Sequence, residues 1–502
     1  MSDGLGINDD RPDRLDRLDQ LDRPGEECGV FGAIACERAP LLTYYGLFAL
    51  QHRGQESAGI AYVGRRGLRC VKGMGLVGEV FRQAEVALWR SSAAIGHVRY
   101  PTFGSSNYAN AQPLTAEGRH GALAIAHNGE LVNAPSLRGS LETAGAHLET
   151  DSDSEVMAQL VAGSAAADPA DALREVLQTV SGGFAVVMLT EDALYAARDP
   201  HGIRPLSLGR LAGGWIVASE TCAFDAVGAE FVRDVAPGEM LTITAADGVA
   251  ATRFAPAGRP ALCSFEYIYF ARPDSELQGK NVHMVRKELG RRLAREFPVA
   301  ADLVIGVPDS SISAAIGYAE AAGLPYEIGL VKNRYVGRTF IQPSQESREA
   351  AVRLKLNPLR KVVEGQRVVL IDDSIVRGTT SRYIVKLLRW AGAKQVHLRI
   401  TSPPYRCPCY YGIDTSSATE LIAASHDVAG ICAAIEADSL AYQTVESLTE
   451  SLGYTPRELC LACFTGDYVV PVPGQGTATE PLDRGASIAC RPIAKVGDAD
   501  EA

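Results

Sequence analysis

The sequence predicts an antiparallel α+β domain followed by an α/β domain with a mainly parallel sheet. Up to about residue 257, short apolar β-like runs lie close together across turns, which is typical of hairpins. From Ala261 onward, strands such as ADLVIGV and RVVLID alternate with longer helical segments, as they do in βαβ units. Between these patterns, FAPAGRP (residues 254–260) has the proline and glycine content of a linker.

Individual elements follow from the same patterns. The strands expected in the first domain include VFGAI, SAGIAYV, AAIGHV, ALAIAH, FAVVML and WIVAS, and FAVVML with ALYAARD forms a hairpin across residues 190–192. In the second domain, helices are expected around SISAAIGYAEAAG and TTSRYIVKLLRWAG, and the latter leads to the strand VHLRIT. We therefore expect domains at residues 28–258 and 259–474, a charged leader at 1–27 and a disordered tail at 475–502.

Composition and charge limit the class of partner. Apolar residues make up 46% and charged residues 22% of the 502 residues, the mean hydropathy is zero, and no apolar run is long enough to span a membrane. The net charge of −11 disfavours nucleic acid and anionic membranes, so small molecules are the expected partners. Eleven cysteines and no secretory segment indicate reduced thiols and a cytoplasmic location.

The run VVLIDDSIVRGTTS (residues 368–381) combines a buried strand, two carboxylates and a hydroxyl-rich loop that opens a helix. The carboxylates of Asp372 and Asp373 follow the strand at the edge where open α/β sheets bind ligands, and they can hold ribose hydroxyls or hydrated Mg²⁺. The loop and the helix N-terminus favour a phosphate, so a phosphorylated sugar fits both ends. The alternative for IDDS alone is an ordinary helix cap.

Two further segments of the second half carry polar groups. VPDSS (residues 307–311) is another strand-to-loop turn, and KNRYVGRTFIQPSQ (residues 332–345) is basic within an acidic protein. We interpret the basic segment as a mobile flap that brings cations to the phosphorylated sugar and excludes water from it. A solvated basic loop is the alternative interpretation.

In the first half, Cys28 opens CGVFGAIA directly after Glu26 and Glu27. Such a cysteine is by itself most often a small buried apolar residue. Four motifs with polar residues follow it in sequence. They are QHRGQESAGI (51–60), GHVRYPT (96–102), HNGEL (127–131) and SDSE (152–155).

Cys460 and Cys463 form a C-x-x-C pair, whose spacing allows two thiolates to meet one metal. The spacing does not separate Zn²⁺ from an iron–sulfur cluster, and buried inert thiols are a third alternative. Two more ligands would be needed for either metal centre.

These motifs resemble known families. Residues 368–381, together with the two polar segments before them, resemble the binding site for phosphoribosyl pyrophosphate in type I phosphoribosyltransferases. The first-half motifs resemble the glutaminase domain of the N-terminal-nucleophile amidotransferases, which is an α+β sandwich. Their order over about residues 27–467 resembles the amidophosphoribosyltransferase family, of the iron–sulfur-containing, leader-processed type. The resemblance implies glutamine-dependent amination of 5-phosphoribosyl 1-pyrophosphate, the first committed step of purine synthesis.

The resemblance also implies the role of each site residue. In the first domain it implies that Cys28 is a nucleophile freed by leader removal. Asn128 and Gly129 are implied to be the oxyanion donors, and Arg99, Thr102 and Asp153 are implied to bind glutamine. The sugar-phosphate site is implied to comprise Asp372, Asp373, Ser374, Arg377, Gly378, Thr379, Thr380, Ser381, Lys332 and Arg338. Magnesium ligands are implied at Ser310, Asp372 and Asp373, and [4Fe-4S] ligands at Cys263, Cys409, Cys460 and Cys463. Pro101 departs from the family pattern, which more often has Ser or Ala.

The implied partners are glutamine, the sugar pyrophosphate and inhibitory purine nucleotides, in a homotetramer. Two alternatives remain at this point. A hexosamine-phosphate synthase would share the first half but not residues 368–381, and a non-enzymatic phosphoribosyl pyrophosphate sensor would have no use for the glutaminase motifs.

Overall fold

The computed structural model describes residues 28–100, 105–333, 356–415 and 418–473. The predicted leader, the predicted tail and most of the predicted flap therefore lie outside the described residues. Within the described residues, no helix is long and apolar enough to cross a bilayer.

Thirteen strands are described in the first domain. They are β1 (Gly29–Ile34), β2 (Ser57–Gly64), β3 (Gly67–Met74), β4 (Ala93–Arg99), β5 (Leu114–Gly118), β6 (Gly121–Leu131), β7 (Gly182–Leu189), β8 (Ala193–Arg198), β9 (Ser207–Leu211), β10 (Gly214–Ala218), β11 (Glu230–Asp234), β12 (Glu239–Thr244) and β13 (Gly248–Arg253). Within the described residues these strands form two antiparallel sheets, with the orders β11-β9-β10-β1-β4-β2-β3 and β13-β12-β8-β7-β6-β5. The predicted hairpin is β7 and β8.

Helices cover the outer faces of this sandwich. They are α1 (Ala39–Ala49), α2 (Val77–Val80), α3 (Gln83–Val86), α4 (Ala134–Thr143), α5 (Asp153–Gly163), α6 (Pro169–Thr179) and α7 (Cys222–Val227). Helix α6 begins where the sequence favours a helix, because the Asp168 side chain accepts a hydrogen bond from the Asp171 backbone N–H and proline follows Asp168. Val30 and Ile95 of one sheet face Ala126 and Val187 of the other, so the main core lies between the sheets.

The second domain begins after the segment between β13 and β14, where the sequence predicts a linker. Its strands are β14 (Leu262–Cys263), β15 (Glu276–Leu277), β16 (Lys280–Asn281), β17 (Leu303–Gly306), β18 (Leu330–Lys332), β19 (Leu356–Pro358), β20 (Arg367–Asp372), β21 (Gln395–Ile400), β22 (Ser439–Tyr442) and β23 (Leu459–Cys460). Its helices are α8 (Val282–Glu296), α9 (Ile312–Ala322), α10 (Arg360–Val363), α11 (Thr379–Trp390), α12 (Ile422–Ser425), α13 (Val428–Ala434), α14 (Val445–Leu452) and α15 (Ala462–Thr465), together with a π-helical turn (Glu266–Phe270) and a 3-10 turn (Ala418–Glu420).

Strands β17, β20, β21 and β22 form a parallel sheet in the order of their numbers. Apolar side chains cover both faces: Leu370 and Leu398 lie in one core, and Val369 and Ile371 lie in the other. The sheet is therefore of the buried, helix-covered kind that the βαβ pattern predicts. The antiparallel sandwich and this parallel sheet confirm the predicted fold class, and the carboxyl ends of the four strands meet at one edge.

A fourth apolar core joins the two domains. It contains Ile203 of the first domain together with Phe265, Tyr405 and Tyr411 of the second. Within it, Arg204 Nε donates to the Tyr411 carbonyl oxygen at 2.9 Å. The loop that carries Cys409 is therefore attached to the sandwich by both apolar packing and a buried hydrogen bond.

Candidate active sites

Cys28 lies at the start of the central strand β1, at one end of the sandwich. Its side chain is buried, and its Sγ lies 3.5 Å from the Tyr100 carbonyl oxygen. Burial raises the pKa of the thiol to about 11, although the charge of nearby Arg99 opposes the rise. A thiol with that pKa is protonated at neutral pH, so it needs a proton acceptor before it can attack.

Asn128 and Gly129 lie on β6, in the other sheet. Asn128 is buried, and its Nδ2 has no hydrogen-bond partner among the described residues. Gly129 has φ +136°, and a Cβ there would lie 1.9 Å from the Gly183 carbonyl oxygen, so only glycine fits. A buried amide donor without a partner among the described residues is what an oxyanion site requires.

Arg99 and Asp153 each have buried polar partners. Arg99 Nη1 donates to both carboxylate oxygens of Glu56, at 2.7 and 2.9 Å. Asp153 accepts the Leu131 backbone N–H at 3.0 Å and lies 3.6 Å from His127 Nδ1. Burial opposes ionisation of Asp153, but His127 and the backbone donors hold its pKa below the ordinary value.

The partner of Arg99 is a residue that the sequence analysis did not single out. Glu56 stands inside the QHRGQESAGI motif, and its carboxylate fixes one side of the Arg99 guanidinium. A buried arginine requires an acidic partner, so Glu56 could have been predicted as the partner of Arg99 from its place in a neighbouring motif. Pro101 and Thr102 lie outside the described residues.

The second candidate site lies at the carboxyl edge of the parallel sheet. Asp372 ends β20, and both it and Asp373 are buried. Ser310 Oγ donates to Asp373 Oδ2 at 2.5 Å, and Ser311 Oγ donates to Asp372 Oδ1 at 3.1 Å. Ser374 Oγ donates to Asp373 Oδ1 at 2.8 Å. The structure thus places residues 307–311 beside Asp372 and Asp373. Ser311 contacts the acidic pair in addition to the predicted Ser310.

A glycine turn connects the acidic pair to helix α11. Gly378 has φ +82° and immediately precedes the helix, whose first turn contains Thr379, Thr380 and Ser381. Because glycine has no side chain to cap the helix, the first-turn N–H groups face the loop. Arg377 forms an ion pair with Glu420. Such a helix start attracts a phosphate.

Lys332 lies 3.5 Å from the Asp309 carboxylate, beside the same edge of the sheet. The rest of the predicted basic flap, including Arg338, lies outside the described residues. The structure therefore brings one of the two predicted cations to the acidic pair's neighbourhood.

Four buried or half-buried thiols lie in or beside the core that joins the domains. Cys263 and Cys460 are register partners in the parallel pair β14 and β23, and Cys463 lies in α15. The Tyr411 backbone N–H lies 3.4 Å from Cys409 Sγ. Burial raises the pKa of Cys263, Cys460 and Cys463, and neighbouring thiols, Cys409 among them, add to the rise. Among the described residues, no three His, Cys, Asp or Glu side chains converge as they do around a single metal ion.

Comparison with known proteins extends over both domains. Residues 99–226 match the glutamine amidotransferase domain family, and residues 277–402 match the phosphoribosyl transferase domain family. An amidophosphoribosyltransferase of Bacillus subtilis is 54% identical over 448 residues, which cover 88% of this chain and 94% of that protein. One from Archaeoglobus fulgidus is 51% identical over 455 residues, covering 89% and 99%.

The chain belongs to the amidophosphoribosyltransferase family. A solved glutamine phosphoribosylpyrophosphate amidotransferase of Bacillus subtilis, in complex with ADP and GMP, has a TM-score of 0.84 and 53% identity, covering 89% of this chain and 98% of that one. As an amidophosphoribosyltransferase, the protein uses glutamine to aminate 5-phosphoribosyl 1-pyrophosphate and releases glutamate and pyrophosphate. The product, 5-phosphoribosylamine, is the first committed intermediate of purine synthesis, so the predicted activity is confirmed.

Proposed function

We propose that the sandwich domain hydrolyses glutamine and that Cys28 is its nucleophile. The Cys28 sulfur attacks the side-chain amide carbon, ammonia leaves, and water then releases glutamate from the thioester. Asn128 Nδ2 and the Gly129 N–H stabilise the oxyanion. The observation that carries this assignment is the buried Asn128 amide without a partner among the described residues, beside a glycine that can bear no side chain.

Proton transfer follows from the thiol's environment. Since burial raises the pKa of Cys28 to about 11, a base must lie within reach of the sulfur. The α-amino group of Cys28 has an ordinary pKa of about 7.7 to 8.0 and becomes that base once the leader is cut between Glu27 and Cys28. The proposal therefore includes leader removal as a condition of glutaminase activity.

Three residues bind glutamine in this proposal. Arg99 takes the α-carboxylate, because its guanidinium is held by Glu56 on one side and suits a carboxylate on another. Asp153 takes the α-ammonium, since its lowered pKa keeps it ionised. Thr102, which lies outside the described residues, completes the set predicted from the sequence.

The second site displaces pyrophosphate from the sugar with ammonia. Asp372 and Asp373 bind the ribose hydroxyls, and the 5-phosphate lies at the start of α11. Lys332 and Arg338 face the pyrophosphate, whose charge grows as the bond to C1 breaks. The residues proposed for the 5-phosphate loop are Ser374, Arg377, Gly378, Thr379, Thr380 and Ser381.

Magnesium fits the donor atoms at this edge. Asp372, Asp373 and Ser310 supply only oxygen atoms, which Mg²⁺ prefers, and Ser310 donates to Asp373 while Ser311 donates to Asp372. When bound, the ion would supply positive charge to the pyrophosphate oxygens. Ser310 orients Asp373, and Ser311 orients Asp372, in either case.

A [4Fe-4S] cluster fits the four thiols as a structural group. Cys263, Cys409, Cys460 and Cys463 come from three distant segments, and a cluster ties such segments together. The Tyr411 N–H directed at Cys409 Sγ is the kind of backbone donor that stabilises a thiolate ligand. Cys407 is not included, because the family resemblance assigns the ligand to Cys409, within PCYYGID.

Regulation and assembly form the remaining part of the proposal. The Bacillus subtilis relative was solved with ADP and GMP, and a relative of 52% identity is described as an allosteric regulatory enzyme of purine biosynthesis. We propose purine nucleotides as inhibitors, a homotetramer as the assembly, and the cytoplasm as the location, where thiols stay reduced.

Two complementary variants test whether glutamine hydrolysis and pyrophosphate displacement use separate sites. Cys28→Ala should abolish glutamine-dependent synthesis but leave synthesis from ammonium salts, because the sugar-phosphate site uses other residues. Asp372→Ala combined with Asp373→Ala should abolish pyrophosphate release from either nitrogen source but leave slow glutamine hydrolysis. Cys36→Ala, another buried thiol just after β1, is the matched control and should keep both activities. Glutamine hydrolysis by Cys28→Ala would overturn the assignment of the nucleophile.

A further inference from the structure

Three buried charged side chains, which we call the arginine network, lie behind the nucleophile: Arg53, Glu220 and Glu266. Arg53 Nη1 lies 2.6 Å from Glu220 Oε1 and 3.0 Å from Glu266 Oε2, and its Nη2 lies 2.8 Å from Glu266 Oε1. All three side chains are fully buried. The guanidinium is thus clamped between two carboxylates and has a fixed orientation.

The remaining nitrogen of this guanidinium reaches the nucleophile. Arg53 Nε donates to the main-chain carbonyl oxygen of Cys28 at 3.0 Å. That carbonyl belongs to the same residue as the thiol and the α-amino group, so its position sets how both project from the backbone. A displacement of about 1 Å in a reacting group costs up to about 100-fold in rate.

Glu266 belongs to the second domain, whereas Arg53 and Glu220 belong to the sandwich. Glu266 begins the π-helical turn Glu266–Phe270, three residues after Cys263. The nucleophile's backbone is therefore held, through one arginine, by a carboxylate of the sugar-phosphate domain.

Arg286 of α8 holds this turn in place. Its Nε donates to the Tyr267 carbonyl at 2.7 Å, and its Nη2 donates to the Ala271 carbonyl at 2.8 Å, so it contacts both ends of the turn. The turn that carries Glu266 is therefore fixed within the second domain.

We propose that Glu266 is a positioning residue for glutamine hydrolysis, which orients Cys28 through Arg53. This inference rests on the proposed nucleophile. It assigns a function to a buried ion pair across the domain boundary, where a purely structural pair would affect only stability.

The test compares Glu266→Gln with wild type in two assays. Glutamine hydrolysis should lose about tenfold or more in kcat, with little change in KM, because Arg99 and Asp153 are untouched. Ammonia-dependent synthesis should persist, and it reports that the second domain is folded. An unchanged kcat would overturn the proposal.

Glu239→Gln is the matched control. Glu239 is buried on β12 and makes a two-pronged pair with Arg233, at 2.7 and 2.9 Å, away from the arginine network. It should lower the melting temperature without changing kcat. An equal loss of kcat in this variant would mean that any buried pair supports the rate, and it would refute the specific role of Glu266.

One more variant completes the design. If Glu266→Gln gives insoluble protein, Glu266→Asp keeps the charge but shortens the reach, and the same fall in kcat is expected. Failure of the nucleophile itself would appear separately, as hydrolysis by Cys28→Ala.

Discussion

At the scale of single residues, the glutaminase site consists of polar atoms that are buried before any substrate arrives. The Asn128 amide nitrogen is one of them, and leaving a donor unpaired costs about 1 to 3 kcal/mol. Binding of an oxyanion would supply the missing partner. The free energy that the unpaired Asn128 donor costs in the free protein is therefore recovered when the donor binds the oxyanion of the transition state.

Asn128→Ala should therefore lower kcat for glutamine hydrolysis by about 100-fold to 1,000-fold. KM should change little, and synthesis from ammonium salts should be unaffected. Steady-state rates with the two nitrogen sources check this. A loss confined to KM would indicate that Asn128 binds the ground state.

His97 gives a pH dependence that can be worked out from its environment. It is fully buried on β4, and its Nε2 is bonded to the His127 carbonyl at 3.0 Å. Burial lowers its pKa to about 3, and the charge of Arg99 adds to this. Because the unfolded chain takes up the proton near pH 6.5 and the folded chain does not, stability is retained above pH 6.5 and falls as the pH drops toward 3.

His97→Gln should remove this pH dependence of the free energy of unfolding, which amounts to about 2 kcal/mol between pH 7 and pH 5. Its melting temperature should fall less than that of wild type over this interval, even if it is lower at pH 7. The exposed His147→Gln is the control and should behave as wild type. Parallel curves for His97→Gln and wild type would contradict the buried-histidine explanation.

At the scale of elements, the start of α11 depends on a backbone conformation that glycine adopts readily. Gly378→Ala forces a side chain into φ +82°, with its Cβ 2.9 Å from Ile422 Cδ1. The strain of about 1 kcal/mol or more falls on the loop proposed for the 5-phosphate. KM for phosphoribosyl pyrophosphate should rise about tenfold, while basal glutamine hydrolysis stays unchanged.

Gly323→Ala is the matched control for this loop. Gly323 ends α9 with φ +67°, and a Cβ there would meet nothing within 4 Å. It should lower stability by a similar amount and leave KM unchanged. A similar rise in KM for both variants would show that the effect comes from general destabilisation.

The elements were largely predictable from the sequence, since β7, β8, β17, β20, α9 and α11 all have strong local periodicity. Asp372 and Asp373 were predictable because strand ends of parallel sheets meet at one edge. Glu266 was not, because it stands in the apolar run EYIYF and its partner Arg53 is 213 residues away. Pairing of charges over such separations leaves no local pattern.

At the scale of the whole molecule, the four cysteines lie where the two domains meet. Cys460→Ser should release iron and lower the melting temperature, because an incomplete ligand set no longer holds β14, α15 and the Cys409 loop together. Cys407→Ser should keep the iron. Iron and sulfide content with thermal unfolding under anaerobic conditions measures both, and zinc in place of iron would contradict the cluster.

The burial of the Arg53–Glu266 pair has a consequence for ionic strength. At 0.1 M salt, mobile ions screen exposed charges over about 10 Å, but they do not enter a dry interior. The partly exposed Lys332–Asp309 pair should weaken as potassium chloride is added, whereas the interior pair should not. The kcat of glutamine hydrolysis, which is proposed to depend on the interior pair, should then persist in concentrated salt. A kcat that falls as salt is added would contradict the role of a buried pair in positioning Cys28.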